Sequence, residues 1–170
     1  PAPLVSLIVP TRDRIDVLRT CIDSLLQRTT YPHFEVLVVD NQSTCPDTLA
    51  YLAALARGDH GGGRVRVLPY DHPFNYSALN NFAAAQARGT VLGLINNDIE
   101  VITPDWLEEM VSHALRPDVG CVGAKLYYPD DTVQHAGVVL GLGGVANHAL
   151  RRTPRHEPGY FGRLWTIYNP

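Results

Sequence analysis

The sequence predicts an α/β protein in which helices flank a mostly parallel β-sheet. The first half of the chain alternates short apolar runs with stretches of helical periodicity, the order typical of βαβ units. The apolar runs are nearly continuous, as strands covered on both faces require. A length of 170 residues with 45% hydrophobic and 18% charged residues is ordinary for a globular protein and excludes a disordered or coiled-coil chain.

Four buried strands alternate with four helices in this prediction. The strands are expected at residues 4–9, 34–39, 65–68 and 91–95, and the helices at about 14–27, around 49–56, at 76–87 and from 103 onward. Thr103 followed by Pro104 is a typical helix start, with threonine as the N-cap and proline as the first helical residue. Beyond that helix we expect strands at 119–128 and 132–140, joined by a turn at 129–131, and irregular structure from Arg151.

Composition excludes several classes of function. The 14 Lys+Arg and 17 Asp+Glu residues give a net charge of −3, which argues against a nucleic-acid partner. No apolar run approaches the roughly 18 residues of a membrane span, and no signal peptide opens the chain. The three cysteines are odd in number and lack metal-site spacing, so we expect a reducing compartment.

Each predicted strand is followed by a polar cluster that contains an aspartate. These aspartates are Asp13, Asp40, Asp71 and Asp98. Since ligands of open α/β sheets bind beyond the carboxyl ends of the strands, the four clusters predict a ligand cleft there. Carboxylates accept hydrogen bonds from ribose hydroxyls and from base N–H groups, and they hold Mg²⁺ or Mn²⁺. An acidic edge therefore suits a nucleotide whose diphosphate is bound together with a metal.

The order of several motifs resembles one known family. LIVPTRDR (7–14), FEVLVVDNQS (34–43), FNYSALNNFAAAQARG (74–89), VLGLINNDIEVITPDWLEEM (91–110) and VGCVGAKLYYPDDTVQHAGVVLGLGG (119–144) together are similar to a family 2 glycosyltransferase of the GT-A fold. The resemblance extends over nearly the whole chain. It implies a Rossmann-like nucleotide-diphospho-sugar transferase that inverts the anomeric carbon, and within the family it favours rhamnosyl- and other cell-surface-polysaccharide transferases.

The resemblance also implies roles for individual residues. Pro10 and Thr11 would line the base and ribose pocket, Asp40 would hydrogen-bond the uracil or its counterpart, and Asp71 would contact base or ribose. The triplet Asn96-Asn97-Asp98 occupies the DXD position of the family. There, Asp98 would ligate Mg²⁺ or Mn²⁺, while Asn96 and Asn97 would contact ribose or diphosphate. Two neutral amides in this triplet depart from the family pattern and weaken the expected metal affinity.

The same resemblance predicts an organisation in halves within one GT-A-like domain, 1–170. Residues 1–100 would be the nucleotide-binding βαβ half, and residues 101–170 would begin an acceptor-side half that is truncated at its C-terminal side. The general base would then lie beyond Pro170, so this piece of a longer protein would bind a UDP- or dTDP-linked sugar without turning over the glycan or lipid-linked acceptor. The expected location is the cytoplasm, and a position at the inner face of the membrane is an alternative for the parent protein.

Two other functions stay open, a non-catalytic nucleotide-binding module and a nucleotidyltransferase. The nucleotidyltransferase should carry a glycine-rich phosphate loop after the first strand, where this chain has Pro10-Thr11-Arg12-Asp13. Several further features are interpreted as structural. These are the GxGxxA pattern at 141–146, which no helix follows, the acids of the 129–131 turn, and the packing residues Trp106 and Trp165. His135 and His148 are also interpreted as structural, with contact to the metal or a phosphate as the alternative. Arg151, Arg152 and Arg155 are interpreted as part of a solvated loop, with contact to a diphosphate or an anionic acceptor as the alternative.

Overall fold

The computed structural model describes residues 2–141 and 143–166, so Leu142 of the glycine-rich stretch and the chain end at Pro170 lie outside the described residues. The chain forms two compact units, residues 1–112 and 113–170. The two units differ in how they are built.

The first unit is organised around a four-stranded, wholly parallel sheet. Its strands are β1 (Val5–Thr11), β2 (Phe34–Asp40), β3 (Val65–Pro69) and β4 (Val91–Leu94), in the order β3-β2-β1-β4. This confirms the predicted parallel sheet. Because β1 is internal, its carboxyl end lies between the carboxyl ends of β2 and β4.

Four helices cover the two faces of this sheet. They are α1 (Ile15–Arg28), α2 (Pro46–Arg57), α3 (Tyr76–Ala84) and α4 (Trp106–Ala114). Helices α1, α2 and α4 contribute to one core cluster, with the side chains of β1 and β2 that face them. Helix α3 contributes to the second cluster through Leu79 and Ala83, which pack with Ile8 and Leu37 on the other face.

Two helix boundaries differ from the prediction. Helix α4 begins at Trp106 because Thr103 closes a turn, its carbonyl accepting from the Trp106 N–H at 3.2 Å. Thr103 and Pro104 therefore precede the helix, and the predicted cap is wrong. Trp106 itself packs against the core and donates its indole N–H to Thr29 Oγ1 at 3.0 Å, which confirms it as a packing residue. Helix α3 ends at Ala84 rather than at residue 87.

A buried carboxylate joins three strands of the sheet. Glu35 on β2 accepts from Ser6 Oγ and from the Arg88 N–H, both at 2.8 Å, and from Arg66 Nη1 at 3.3 Å. Burial pushes the pKa of Glu35 upward, but these hydrogen bonds and the Arg66 charge outweigh it and lower the pKa. Gly89 lies beside this network, where an added Cβ would stand 2.6 Å from the Leu4 carbonyl oxygen.

The second unit consists of short antiparallel strands. Strands β5 (Leu126–Tyr127) and β6 (Val133–His135) form one pair, β7 (Val138–Leu140) and β8 (Ala146–His148) form another, and a 3₁₀ segment spans Tyr160–Trp165. The described hydrophobic core of this unit is small and centres on Val133, Ala136 and Leu164.

The sequence prediction for this unit is partly wrong. Residues 119–125 are not a strand, and the predicted strand at 132–140 is divided at Gly137, whose φ of 97° interrupts the extended backbone. The turn at 129–131 is confirmed, since Tyr128 N–H bonds the Thr132 carbonyl at 2.8 Å. Trp165 is 69% exposed, so its assignment as a packing residue is wrong. In the described part of the chain, no helix is long and apolar enough to cross a membrane.

Candidate functional site

Residues from three chain segments meet at the carboxyl end of the first unit's sheet. Thr11 ends β1 and is the register partner of Asp40, which ends β2. On the other side of β1, the segment after β4 begins with Ile95, whose N–H bonds the Ile8 carbonyl at 2.9 Å. Asn97 of that segment donates from Nδ2 to Thr11 Oγ1 at 3.1 Å. Thr11 thus connects two of the predicted site clusters directly.

A pocket of about 190 Å³ opens at this edge. Three of the residues predicted to bind the donor line it, namely Pro10, Thr11 and Asn97. The remaining lining residues are Arg12, Asn41, Phe74 and Leu79. One cavity is therefore lined by residues of β1, of the segments after β1, β2 and β4, of the loop before α3, and of α3 itself.

The loops around the pocket are fixed by Asp13. Its carboxylate accepts from the backbone N–H groups of Thr44 and Cys45 at 2.8 and 2.7 Å, and its own N–H donates to Ser43 Oγ at 2.8 Å. The hydrogen bonds from Cys45 and then Thr44 hold the pKa of Asp13 below its usual value. Asp13 therefore ties the loop after β1 to the loop after β2, which is a structural role at the edge of the site.

Asp40 and Asp71 lie at the same edge outside the lining of the pocket. Asp40 is half-buried at the end of β2, and its Oδ1 accepts from the Ser43 N–H at 3.1 Å. Asp71 is exposed, and its Oδ1 accepts from Gln42 Nε2 at 2.8 Å. Both carboxylates are thus placed by the loop that follows β2.

Asn96, Asn97 and Asp98 follow β4 as predicted. The Asn96 carbonyl accepts from the thiol of Cys21 at 3.6 Å, which anchors the segment to α1. Asp98 is exposed. The pKa of Arg14 is raised mainly by its bond to Asp16, and Asp98 adds a smaller electrostatic contribution, so Asp98 lies near the start of α1.

The donor set around Asp98 can hold only part of a cation's coordination sphere. Among residues 2–141 and 143–166, no three His, Cys, Asp or Glu side chains cluster as a metal site. Asp98 supplies one carboxylate, and the neighbouring asparagines supply amide oxygens. Mg²⁺ is commonly held by one or two protein carboxylates together with substrate phosphates and water, so these residues fit a cation that is shared with a bound diphosphate.

Four residues that line the pocket were not predicted as site residues, namely Arg12, Asn41, Phe74 and Leu79. Asn41 is 2% exposed and donates from Nδ2 to the carbonyls of His72 and Tyr70 at 2.8 and 3.2 Å. Phe74 is 68% exposed, although it is a large aromatic residue. The signal for Phe74 was present in the sequence, since an aromatic residue in a polar loop between strand and helix has no core to enter.

Apart from Trp106, the features interpreted as structural lie in the second unit. The glycine-rich stretch connects β7 to β8, with the Gly141 N–H bonding the Val145 carbonyl at 2.9 Å, so a strand follows it where a dinucleotide-binding site would need a helix. His135 and His148 face each other with 2.9 Å between their Nδ1 atoms. Desolvation, and secondly the charge of His148, lower the pKa of His135.

A parallel sheet with strand order β3-β2-β1-β4 and a pocket at its carboxyl edge defines a Rossmann-like class of α/β fold. The family model "Glycosyl transferase family 2" matches residues 6–161. The chain therefore belongs to glycosyltransferase family 2, and its fold is the GT-A fold. The predicted family and fold class are confirmed.

Two curated relatives match most of the chain. The uncharacterized protein y4gI of Sinorhizobium fredii is 58% identical over 95% of the chain, and the O-antigen biosynthesis protein RfbC of Myxococcus xanthus is 55% identical over 89%. The chain spans only 18% and 12% of the lengths of these two proteins.

Solved structures of glycosyltransferases share the fold at low sequence identity. The mannosyltransferase PcManGT from Pyrobaculum calidifontis, solved with GDP-Man and Mn²⁺, superposes with a TM-score of 0.66 at 24% identity over 77% of this chain and 37% of its own. GalNAc-T7, solved with UDP, GalNAc and Mn²⁺, gives a TM-score of 0.56 at 18% identity over 66% of this chain and 21% of its own.

Proposed function

We propose that this chain binds a nucleotide-diphosphate sugar at the carboxyl edge of its parallel sheet, for transfer of the sugar in cell-surface polysaccharide synthesis. The observation that carries the proposal is the pocket that Pro10, Thr11 and Asn97 share, at the sheet edge where ligands of such folds bind. Family membership supports the reaction class, and RfbC, a relative named for O-antigen biosynthesis, supports the polysaccharide role.

The base and ribose are assigned to the β1–β2 side of the edge. The pocket combines an exposed aromatic ring, Phe74, with the polar side chains of Thr11 and Asn41, a combination that suits a flat base bearing N–H groups. Asp40 Oδ1 is bound by Ser43, and we assign its other oxygen, Oδ2, to a base N–H. Asp71 is a second acceptor at the same edge, for base or ribose.

The diphosphate is assigned to the segment after β4. Asp98 would hold Mg²⁺ or Mn²⁺, and the amides of Asn96 and Asn97 would contact ribose or diphosphate. When bound there, the cation neutralises charge on the departing diphosphate. Mn²⁺ is present with a nucleotide or nucleotide sugar in the PcManGT and GalNAc-T7 structures, which supports a divalent metal.

Transfer would proceed by one displacement at the anomeric carbon, with inversion. A carboxylate would take the proton of the attacking acceptor hydroxyl as general base. Asp130 and Asp131 are engaged by Arg152 and Arg155 at 2.9 and 3.2 Å, which favours a structural role for both acids. We therefore propose that this chain binds the donor without transferring its sugar to the glycan or lipid-linked acceptor. We also propose a cytoplasmic location, which for the parent protein includes the inner face of the membrane.

Calorimetric titration of UDP, dTDP and GDP with and without Mn²⁺ tests the proposal. We expect UDP or dTDP to bind more tightly with Mn²⁺, and Asp98→Ala to lose this gain, weakening binding by at least about tenfold, or 1.4 kcal/mol. Asp59→Ala is the matched control, because Asp59 is an exposed acid after α2, at the amino edge of the sheet, and should bind like wild type.

Each part of the proposal has its own contradicting result. Equal binding by wild type and Asp98→Ala would remove Asp98 from the site, and absence of binding for all three nucleotides would refute donor recognition. Sugar transfer by this chain alone would refute the donor-only assignment. Donor binding without transfer by the complete parent protein would instead favour the non-catalytic nucleotide-binding module.

A further inference from the structure

The second unit carries a cluster of cations stacked on two tyrosine rings, here called the arginine–tyrosine surface. Its members are Lys125, Tyr127, Tyr128, Arg151, Arg152 and Arg155. The guanidinium carbon of Arg152 lies 4.0 Å from the Tyr128 ring centroid, and that of Arg155 lies 4.6 Å from the Tyr127 centroid. Arg151 Nε donates to the Tyr128 hydroxyl at 2.8 Å. The tyrosines therefore hold the arginines in place without neutralising them.

The surface has more positive charge than its own carboxylates balance. Asp130 pairs with Arg152, and Asp131 pairs with Arg155. Within the described part of the chain, Arg151 bonds a neutral hydroxyl, and Lys125 Nζ bonds the Leu164 carbonyl at 2.7 Å. Four cations thus face two carboxylates. By sequence, residues 113–170 hold six Lys+Arg against four Asp+Glu, whereas residues 1–112 hold eight against thirteen.

Backbone hydrogen bonds position the arginine loop before any ligand arrives. The Arg152 N–H bonds the Val133 carbonyl, and the Val133 N–H bonds the Thr153 carbonyl, both at 2.8 Å. The Arg155 N–H bonds the Asp131 carbonyl at 3.0 Å. Since Val133 is fully buried, the loop is attached to the core of the unit. A preorganised set of cations loses little conformational entropy when an anion binds.

We propose that the arginine–tyrosine surface binds a phosphate or diphosphate group carried by the acceptor, an inference that rests on the proposed function. Guanidinium groups match phosphate oxygens in a fork geometry, and the excess of two positive charges suits a dianion. The donor diphosphate is assigned to the acidic first unit, where a cation would neutralise it. The arginines of the second unit are then available to the acceptor.

Titration with inorganic pyrophosphate, without divalent metal and against chloride at matched ionic strength, tests this surface in the 170-residue chain. We expect pyrophosphate to bind, and Arg151→Gln to weaken binding about tenfold or more, because one charge-assisted contact is lost. Arg116→Gln is the matched control, since Arg116 is an exposed arginine of the same unit that pairs with Asp118. Circular dichroism and retained binding of UDP with Mn²⁺ would show that the Arg151 variant is folded.

The outcomes separate this surface from the donor site. Absence of pyrophosphate binding, or an equal loss in Arg116→Gln, would overturn the proposal. A loss of UDP–Mn²⁺ binding in folded Arg151→Gln would assign the surface to the donor and also overturn it. Asp98→Ala should leave pyrophosphate binding unchanged. A failure of the donor-site proposal would therefore be detected separately from a failure of the proposal for the arginine–tyrosine surface.

Vesicles distinguish the source of the phosphate. Phosphatidylcholine vesicles with and without a polyprenyl phosphate are compared for binding to wild type and Arg151→Gln. Binding that requires both the polyprenyl phosphate and Arg151 supports a lipid-linked acceptor. Binding of pyrophosphate without binding of such vesicles supports a soluble acceptor that carries phosphate.

Discussion

The two units of this chain are stabilised in different ways. Residues 1–112 bury long parallel strands, in which β1 and β2 each contribute seven residues to a sheet packed on both faces. Residues 113–170 have strands of two or three residues and a described core of Val133, Ala136 and Leu164, with ion pairs and cation–π contacts around it. The first unit thus depends on apolar burial, while the second depends on polar contacts between neighbouring loops.

We expect the greatest loss of stability from a cavity in the core of the first unit. Leu37 is fully buried on β2, so Leu37→Ala should lower the free energy of unfolding by about 3–5 kcal/mol. The matched variant Leu140→Ala, at a leucine of β7 that is 83% exposed, should change it by less than about 0.5 kcal/mol. Urea denaturation checks both values, and equal losses would contradict the contrast between the units.

Loss of the buried charge of Glu35 should have the next largest effect. Glu35→Gln should lower the free energy of unfolding by about 1–3 kcal/mol, because the bond to Arg66 loses its charge. The pKa of Glu35 is lowered on folding, so its contribution is present above about pH 4.5, the usual value, and is lost as the pH falls through the folded pKa.

Urea denaturation of wild type and Glu35→Gln across this pH range measures the effect. The difference between the two proteins should shrink on acidification, and a difference that stayed constant would contradict the ionised network. Asp16→Asn serves as the control, because Asp16 is an exposed acid paired with Arg14 and should change stability little.

The smallest effect concerns the imidazole pair of the second unit. The folded pKa of His135 lies below the usual 6.5, because desolvation and His148 oppose its charge. The unfolded chain therefore binds a proton first as the pH falls below about 6.5, and strands β7 and β8 should lose stability. Amide hydrogen exchange, corrected for intrinsic rates, should show lower protection of these strands at acidic pH.

Two controls sharpen this experiment. His135→Gln should remove the pH dependence from β7 and β8, and the β1–β2 amides of the first unit should keep their protection over the same range. An unchanged pH dependence in His135→Gln would show that another group is responsible.

The same division separates the elements that the sequence predicts correctly from those that it does not. Strands such as β1 and β2 are fully covered, so each must be a continuous apolar run, and such runs are visible in the sequence. Strands β5 and β6 are too short for a periodic pattern. Their pairing depends on the turn at 129–131 and on bonds to the arginine loop, which no local pattern encodes.

The candidate site divides in a similar way. The sequence alone was enough to predict the order of strands and helices in the first unit and the position of Thr11, Asp40 and Asp98 at or beyond the carboxyl ends of strands, because apolar burial and chain polarity are local properties. The fold was needed to show that Asn41 and Phe74 line one pocket with Pro10 and Asn97. A cavity is lined by whichever distant segments the packing of the sheet and α3 brings together, and that packing depends on the whole fold.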